Sequence, residues 1–505
     1  MRLLCGFGLT FLLHRSLRGL AMVGLLCTGG MALADGGRFD CGGQTEAEIW
    51  SLWDREMRGV VEQRLLRDRL AQGDVYALYD LQSYTQSLVA MARRCGRAQR
   101  LLEIAALART AYDALEPGTA FSRGRRWVCR GGEICNRRNK LGGTEVMLTS
   151  VQFLGMTSAL ANALAVTPGD GAVKASGFLH DTIDITVEHL LRWGDDKALD
   201  TLRADLQATP ADVRPGVTTH LFTDKSLWMI AIYAELAGAM HAARGREGAW
   251  TAISDADMQR MTSHIGALLA LFGSRISFHA PPNTRAGNGN LADLDRGFWR
   301  LYKDSRYAGY EEQNKPVECR PDGSGKFSMQ VRVPDDTVPV RKDTGWDLSH
   351  ARRLVPALDA LERNRQALMA VFRLTERQLP PTGLAAAFAG TLVAVVWNGD
   401  MSRPLFTNYL SGANGWYRVA YDNGTGQCRE GQPPYGLSRA FAFGGYAAWA
   451  RHQPILGTLG RRLLELADSD PRFIEAHYDF LLPGSPRAAQ GRLMFLPSLV
   501  GTDRP

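Results

Sequence analysis

Two stretches of this chain combine residue types that bind and cleave sugars. The first follows an apolar segment ending at Trp397 and gathers amide, phenol, indole and guanidinium groups in a short span: Asn408, Tyr409, Asn414, Trp416, Tyr417 and Arg418. Sugar rings stack their apolar faces on aromatic side chains, while asparagine and arginine bind hydroxyl and carboxylate groups. This mixture predicts a glycan-binding groove. The competing interpretation is a packed loop in which Asn and Gly only form turns.

The second stretch opens a predicted helix and contains Trp346, Asp347 and His350. Asp347 can cap that helix, but capping gives no reason for Trp346 and His350. Glu145 lies at the corresponding start of an earlier apolar helix. We therefore predict catalytic roles for four residues: His350, Tyr409, Asp347 and Arg418. We predict substrate contacts for six others: Trp346, Asn408, Asn414, Trp416, Tyr417 and Glu145.

Two reactions suit these residue types. Hydrolysis of a glycosidic bond needs an acid and a second carboxylate, which Asp347 with Glu145 or Asp224 could supply. β-Elimination from a uronic acid needs a group that neutralises the sugar carboxylate, a base for the C5 proton and an acid for the leaving oxygen. The first role suits Arg418, Asn408 or Asn414, the second His350, and the third Tyr409 or Tyr417.

Elimination is slightly favoured over hydrolysis, and both describe a secreted or periplasmic enzyme acting on an acidic polysaccharide. The alternative is a non-catalytic periplasmic helical protein that binds a polysaccharide or a partner protein.

The elements that must position these residues are nearly all helical. Residues 45–71 and 97–115 carry one apolar face, whereas residues 146–164, 227–240 and 384–397 are apolar nearly all round. Helices of the second kind must be covered on several sides, which favours two layers around a central bore. We expect an all-α fold, an (α/α) toroid or incomplete barrel of about 12–14 helices, in one domain spanning residues 35–505. A superhelical repeat array is the rival, although no fixed period occurs.

One irregular insertion, residues 277–342, interrupts the helical pattern. A brief helix is expected near residues 291–302, and Lys326 to Val333 with Thr337 to Arg341 predict a short β-ribbon. Loops of this length are usually functional or disordered, and the aromatic content here argues against disorder.

The run Asn408-Tyr409, the run Trp416-Tyr417-Arg418 and the segment from Asp347 to His350, set in such a helical plan, resemble the helical-toroid polysaccharide lyases and related carbohydrate enzymes, of which alginate lyases are examples. The resemblance implies an α/α-toroid fold and cleavage of an acidic polysaccharide.

The first 34 residues resemble a secretory signal peptide, with Arg15 and Arg18 before an apolar run and the small-residue site Ala32-Leu33-Ala34 at its end. Cleavage there predicts a periplasmic or extracellular protein, and an uncleaved anchor is the alternative. Six cysteines follow in a compartment where thiols pair. Among fifteen possible pairings, sequence spacing favours Cys41–Cys95, Cys129–Cys135 and Cys319–Cys428.

Charge and spacing exclude several other classes. Removing the three arginines of the signal lowers the formal charge from +7 to +4, and no basic block indicates a nucleic-acid partner. No later stretch reaches the ~20 apolar residues of a membrane span. The histidines occur singly, without HxH or HExxH spacing, so we predict no metal site and no cofactor. A polysaccharide is the expected partner.

Overall fold

A computed structural model of the chain describes residues 37–118, 124–136, 139–168, 171–214, 216, 218–246, 248–323, 327–422, 428–485 and 487–502. The predicted signal peptide, residues 1–34, lies outside the described residues. From Gly37 onward the chain forms one compact unit in which helices predominate, as the sequence predicts. No helix within the described ranges combines the length and the apolarity that a membrane crossing requires.

The α-helices are, in chain order, α1 (Gln44–Leu52), α2 (Tyr76–Arg94), α3 (Ala98–Thr110), α4 (Met147–Ala165), α5 (Gly171–Lys174), α6 (Ser176–Trp193), α7 (Asp196–Gln207), α8 (Asp224–Ala242), α9 (Asp255–Arg275), α10 (Leu348–Ala351), α11 (Leu354–Arg363), α12 (Arg365–Phe372), α13 (Leu384–Thr391), α14 (Arg439–Phe443), α15 (Pro454–Ser469), α16 (Pro471–Tyr478) and α17 (Ala488–Phe495). π-Helical stretches follow α1 (Trp53–Met57 and Val60–Arg69) and α13 (Leu392–Val396). Short 3₁₀ turns complete the helical content: Leu70–Gln72, Ala111–Ala114, Trp299–Leu301, Lys303–Ser305, Asp335–Thr337, Glu376–Gln378, Tyr446–Arg451, Asp479–Leu481 and Leu496–Ser498.

The helices that the sequence predicts to be covered on several sides lie at the centre. Helix α8 packs against α4, α6, α9, α11 and α12, and every residue from Leu227 to Met240 is buried. Helix α4 packs in turn against α2, α3, α6 and α8. By contrast α3 buries one face only. The difference follows from composition, since a helix with charged residues on one side keeps that side in water.

One carboxylate lies among these apolar helices. Glu235 of α8 accepts hydrogen bonds from Asn162 of α4 (2.6 Å) and from Asn364 (3.1 Å), and Arg363 also contacts it. Gly238, one turn further along α8, is required there, because a Cβ atom would lie 2.2 Å from the Asn364 amide oxygen and 2.5 Å from the Asn162 amide nitrogen. The cluster joins α4, α8 and the α11–α12 junction.

The insertion contains two antiparallel strand pairs. Strand β1 (Ile276–His279) pairs with β2 (Leu291–Leu294), with Ile276 opposite Leu294, and β3 (Val317–Pro321) pairs with β4 (Phe327–Val331), with Val317 opposite Val331. The predicted ribbon is therefore present, but the partner of its Phe327–Val331 strand precedes it, and residues 337–341 form no strand. The helix expected near residues 291–302 is instead β2 followed by a 3₁₀ turn. Short apolar runs do not distinguish the two states.

Disulfides connect the distant segments. They join Cys41 to Cys95 at the end of α2, Cys129 to Cys135, and Cys319 of β3 to Cys428, which are the pairs that spacing favours. A small separate core lies beside the last bond and contains Tyr307, Val317 and Trp416. The insertion is thus fixed to the segment around Trp416 both covalently and by packing.

Two aspartates of the β1–β2 hairpin are completely buried. Asp293 Oδ1 accepts a hydrogen bond from the Leu294 N–H (2.8 Å), and Asp295 pairs with Arg275 at 3.2 Å. Burial raises the pKa of each carboxyl to about 7. Because the unfolded chain releases these protons near pH 4, folding becomes less favourable as the pH rises from about 4 through 7.

Substitution Asp293→Asn should remove the part of this pH dependence that Asp293 contributes, and the part due to Asp295 should remain. The free energy of unfolding of the variant relative to the wild type should rise by on the order of 1–4 kcal/mol between pH 4 and pH 8. Urea unfolding at several pH values measures it, with the exposed Asp336→Asn as control. A difference that stays constant with pH would contradict the prediction.

Candidate functional site

The two stretches that the sequence predicts to bind sugars, one containing Asp347 and the other Tyr409, meet around Asp347. The backbones of Asp347 and Tyr409 pair as an isolated antiparallel bridge. Asp347 also begins α10: its Oδ1 accepts hydrogen bonds from the N–H groups of Ser349 and His350, both at 3.1 Å. Its Oδ2 accepts from His350 Nδ1 (2.7 Å) and from Trp299 Nε1 (3.2 Å). This carboxylate therefore joins α10, the insertion and the loop containing Tyr409.

Asp347 stays ionised although it is completely buried. Burial alone would raise its pKa, but the contact with His350 and the hydrogen bonds from His350 and Ser349 outweigh it and hold the pKa of Asp347 well below its usual range. The His350 ring lies edge-on to the rings of Trp299, Trp346, Tyr302 and Tyr417. The Tyr417 hydroxyl oxygen is 3.2 Å from His350 Nδ1.

Tyr417 and Ser349 form part of the wall of a cavity of about 360 Å³, which we call the arginine cleft. Five arginines line it, together with two further tyrosines and a glutamine: Arg352, Arg353, Arg418, Arg429, Arg439, Tyr79, Tyr421 and Gln432. No carboxylate occurs among the described residues of its lining. A concave surface with this composition attracts anions.

Two of these arginines are held in place by buried acids. Arg353 lies 3.4 Å from Asp224 at the start of α8, and its Nη1 donates to the Ser349 carbonyl (2.6 Å). Arg418 has a left-handed backbone with φ of 54°. Its N–H donates to the Asp304 carbonyl (2.9 Å) and its Nε to Asp304 Oδ2 (3.0 Å). A strained backbone of this kind persists only where the surrounding contacts hold it. Here those contacts also fix the position of the Arg418 guanidinium.

The other three arginines are not neutralised within the described chain. Arg352, Arg429 and Arg439 form no ion pair with a described residue. Burial lowers the pKa of Arg352 and of Arg439, and guanidinium groups nevertheless stay charged at neutral pH. The cleft thus offers positive charge that a ligand can neutralise.

Tyr79 of α2 is the unusual tyrosine of the cleft. Its hydroxyl oxygen accepts a hydrogen bond from Arg352 Nη2 (3.3 Å). Burial would raise its pKa, but the charges of Arg352 and Arg353 outweigh burial and lower the pKa of Tyr79 below its ordinary value. Burial dominates instead at Tyr302, Tyr409 and Tyr417, whose pKa values are raised. Tyr79 is therefore the easiest of these four to ionise.

Several residues predicted to bind substrate instead pack within, or form hydrogen bonds to, the backbone around Asn408 and Trp416. Trp346 and Asn408 are completely buried, and the Asn408 amide donates to the carbonyls of Gly415 and Pro433, each at 2.9 Å. Asn414 Oδ1 accepts from the Tyr435 N–H (2.9 Å). Trp416 Nε1 donates to the Glu312 carbonyl (2.7 Å). The turn-forming interpretation accounts for Asn408, Asn414 and Trp416, because their polar atoms bond to the backbone. It does not account for Trp346, whose Nε1 is buried without a hydrogen-bond partner among the described residues.

Two further predicted residues are absent from the lining of the arginine cleft. Glu145 does not reach the cluster around Asp347: it pairs with Arg192 of α6 at 2.8 Å and lies beside the buried His189. Tyr409, predicted to be catalytic, is completely buried, and its hydroxyl donates to the Trp416 carbonyl (3.3 Å). The structure thus brings Asp347, His350 and Tyr417 together, with Arg418 in the adjoining cleft.

Sequence reasoning missed the main lining of the cleft. Arg352 and Arg353 follow His350 after a single intervening residue, Ala351, so their position was a usable signal. Arg439 carried a similar signal, because it lies at the start of a predicted helix after Leu437-Ser438. Tyr79 and Arg429 carried none, because packing alone brings their segments to the cleft.

Comparison with family models, with curated proteins and with solved structures finds no match to this chain. By its own features it belongs to the class of mostly helical, disulfide-containing proteins with an arginine-lined cleft.

Substitution Asp347→Asn should destabilise the protein by about 2–4 kcal/mol at neutral pH, because the amide cannot accept all the hydrogen bonds and His350 loses its charged partner. The pKa of Asp347 is lowered in the folded state, so its contribution is fully present above about pH 4 and declines progressively as the pH falls from there towards the folded pKa. The loss caused by the substitution should therefore shrink in acid.

Chemical unfolding at pH 7 and at pH 3.5 measures both effects. The matched control is Asp343→Asn, four residues upstream and half-buried, whose only described ion pair is with Arg296 at the surface, and which should change stability by less than about 1 kcal/mol. Equal effects of the two substitutions would contradict the role assigned to Asp347.

Proposed function

We propose that this protein is a secreted or periplasmic polysaccharide lyase that cleaves an acidic polysaccharide by β-elimination in the arginine cleft. We also propose that its helices form an (α/α) toroid, with α4 and α8 in the inner layer. The single observation that carries the functional proposal is the cleft itself: five arginines, a tyrosine of lowered pKa and no described carboxylate in its lining.

The charge of the cleft indicates the substrate class. Guanidinium groups bind carboxylates through parallel N–H donors, and a polyuronate presents one carboxylate on each sugar. Tyr421 adds an aromatic surface of the kind that sugar rings stack on. The Arg418 guanidinium lies over the Tyr421 ring, 4.6 Å from its centroid. A neutral glycan would leave most of these cations without a partner.

The same lining favours elimination over hydrolysis. A glycosidase places two carboxyl groups across the scissile bond. Asp347 and Asp224, the carboxylates considered for that role, are buried and engaged with His350 and Arg353. Elimination requires no catalytic carboxylate. Arginines neutralise the carboxylate of the sugar and so make its C5 proton more acidic.

We assign the proton transfers to Tyr79. Its phenolate takes the proton from C5, the electron pair forms the C4=C5 double bond, and the C4–O4 bond breaks. Tyr79 then gives the same proton to the departing oxygen, so that no water is consumed. Arg418 and Arg352 neutralise the sugar carboxylate. His350, expected from the sequence to be the base, lies behind Tyr417 and acts as a positioning residue.

Incubation with polyuronates tests this proposal. Ultraviolet absorbance should rise as the unsaturated product forms, and Tyr79→Phe should slow that rise by at least ~10²-fold. The matched control is Tyr84→Phe on the same helix, a partly buried tyrosine outside the cleft lining, which should keep full activity. Because the pKa of Tyr79 is lowered, kcat/KM should increase with pH and level off below about pH 10, the ordinary pKa of tyrosine.

Two results would overturn the proposal. New reducing ends without absorbance would show hydrolysis. Saturable binding of the polymer with neither product would identify the non-catalytic polysaccharide-binding protein that the sequence left as the alternative.

A further inference from the structure

A second cavity, of about 80 Å³, lies along the later turns of α2. Four arginines and two carboxylates are among its lining residues: Arg93, Arg94, Arg363, Arg451, Glu235 and Asp359. Tyr79, in the arginine cleft, and Arg93 are about 21 Å apart along the helix axis at 1.5 Å per residue. The cavity is therefore distinct from the cleft.

Its charges do not balance. Arg363 contacts Glu235, and Arg451 pairs with Asp359 at 2.6 Å. Arg94 Nη2 donates only to neutral acceptors, the carbonyls of Pro497 (2.7 Å) and Val500 (3.0 Å). The guanidinium of Arg93 forms no hydrogen bond and no ion pair with any residue that the structure describes.

Two guanidinium groups, adjacent in sequence and half-buried, thus have no described carboxylate within ion-pair distance, although Glu235 and Asp359 lie near Arg93. Burial lowers the pKa of Arg93 and of Arg94 to about 10, and the charge of Arg363 contributes at Arg93. Both stay protonated at neutral pH. A buried charge without a partner costs several kcal/mol, whereas a bound anion would offset that cost.

We propose that this cavity binds a small oxyanion between Arg93 and Arg94. Its volume accommodates several water molecules or one such ion, at roughly 10–15 Å³ per water. Guanidinium forks match the oxygen spacing of sulfate, phosphate and carboxylate groups.

Sulfate titration at constant ionic strength, balanced with chloride, tests the site. Sodium sulfate in the millimolar range should raise the Tm of the wild type along a saturable curve, and calorimetry should show a binding site that is absent from Arg93→Gln. Arg93→Gln should lose the saturable part of that curve. Arg203→Gln, an exposed arginine of α7, and Arg418→Gln, in the arginine cleft, should keep it. A saturable response to sodium glucuronate would extend the site to carboxylates, and a response to sulfate alone would restrict it to tetrahedral oxyanions.

A second variant keeps the test decisive if Arg93→Gln folds poorly. Ala90 lines the same cavity, three and four residues before the two arginines. Ala90→Glu should supply a resident carboxylate at the helical spacing for ion pairs, raise the Tm without sulfate and abolish the sulfate response. The proposal fails if sulfate raises the Tm of wild type, Arg93→Gln and Ala90→Glu equally, because that is the nonspecific stabilisation that sulfate gives most proteins.

Discussion

The buried carboxylate of Asp347 is the interaction on which the candidate site depends. Removing a carboxylate from water costs several kcal/mol, so it is stable only where enough donors converge on it. Here the donors come from α10, from Trp299 of the insertion and from His350, while the Asp347 backbone pairs with that of Tyr409. Satisfying one charge therefore fixes the positions of three segments, and with them Tyr417 and the wall of the arginine cleft.

The distribution of acids explains where positive charge is available. Asp224, Asp304, Glu235 and Asp359 each contact an arginine that lines a cavity and hold it in place. Other arginines of the same cavities receive no carboxylate from the described chain, so their charge is directed at a ligand. The protein thus uses acids for positioning and leaves part of its positive charge for binding, in the cleft and in the smaller cavity alike.

The sequence predicted the central helices better than it predicted the insertion. Residues 227–240 are apolar nearly all round, and that composition indicates a central helix, which α8 is. In the insertion, the run Leu291–Leu294 is too short to distinguish helix from strand, and its pairing with Ile276–His279 decided the outcome. The ribbon strand Phe327–Val331 was correctly placed, but its partner was not, because strand pairing is set by contacts between segments and not by the segment itself.

The sequence by itself determined the helical class, the favoured cysteine pairs and the position of Asp347 at the start of a helix, because helical periodicity, cysteine spacing and capping are properties of neighbouring residues. Only the tertiary structure decided which side chains line the cleft. Tyr79 meets Arg352 across 273 positions, and Asn408, a predicted sugar ligand, is used up by the carbonyls of Gly415 and Pro433. Exposure and long-range contact depend on how whole helices pack, and local pattern carries no information about that.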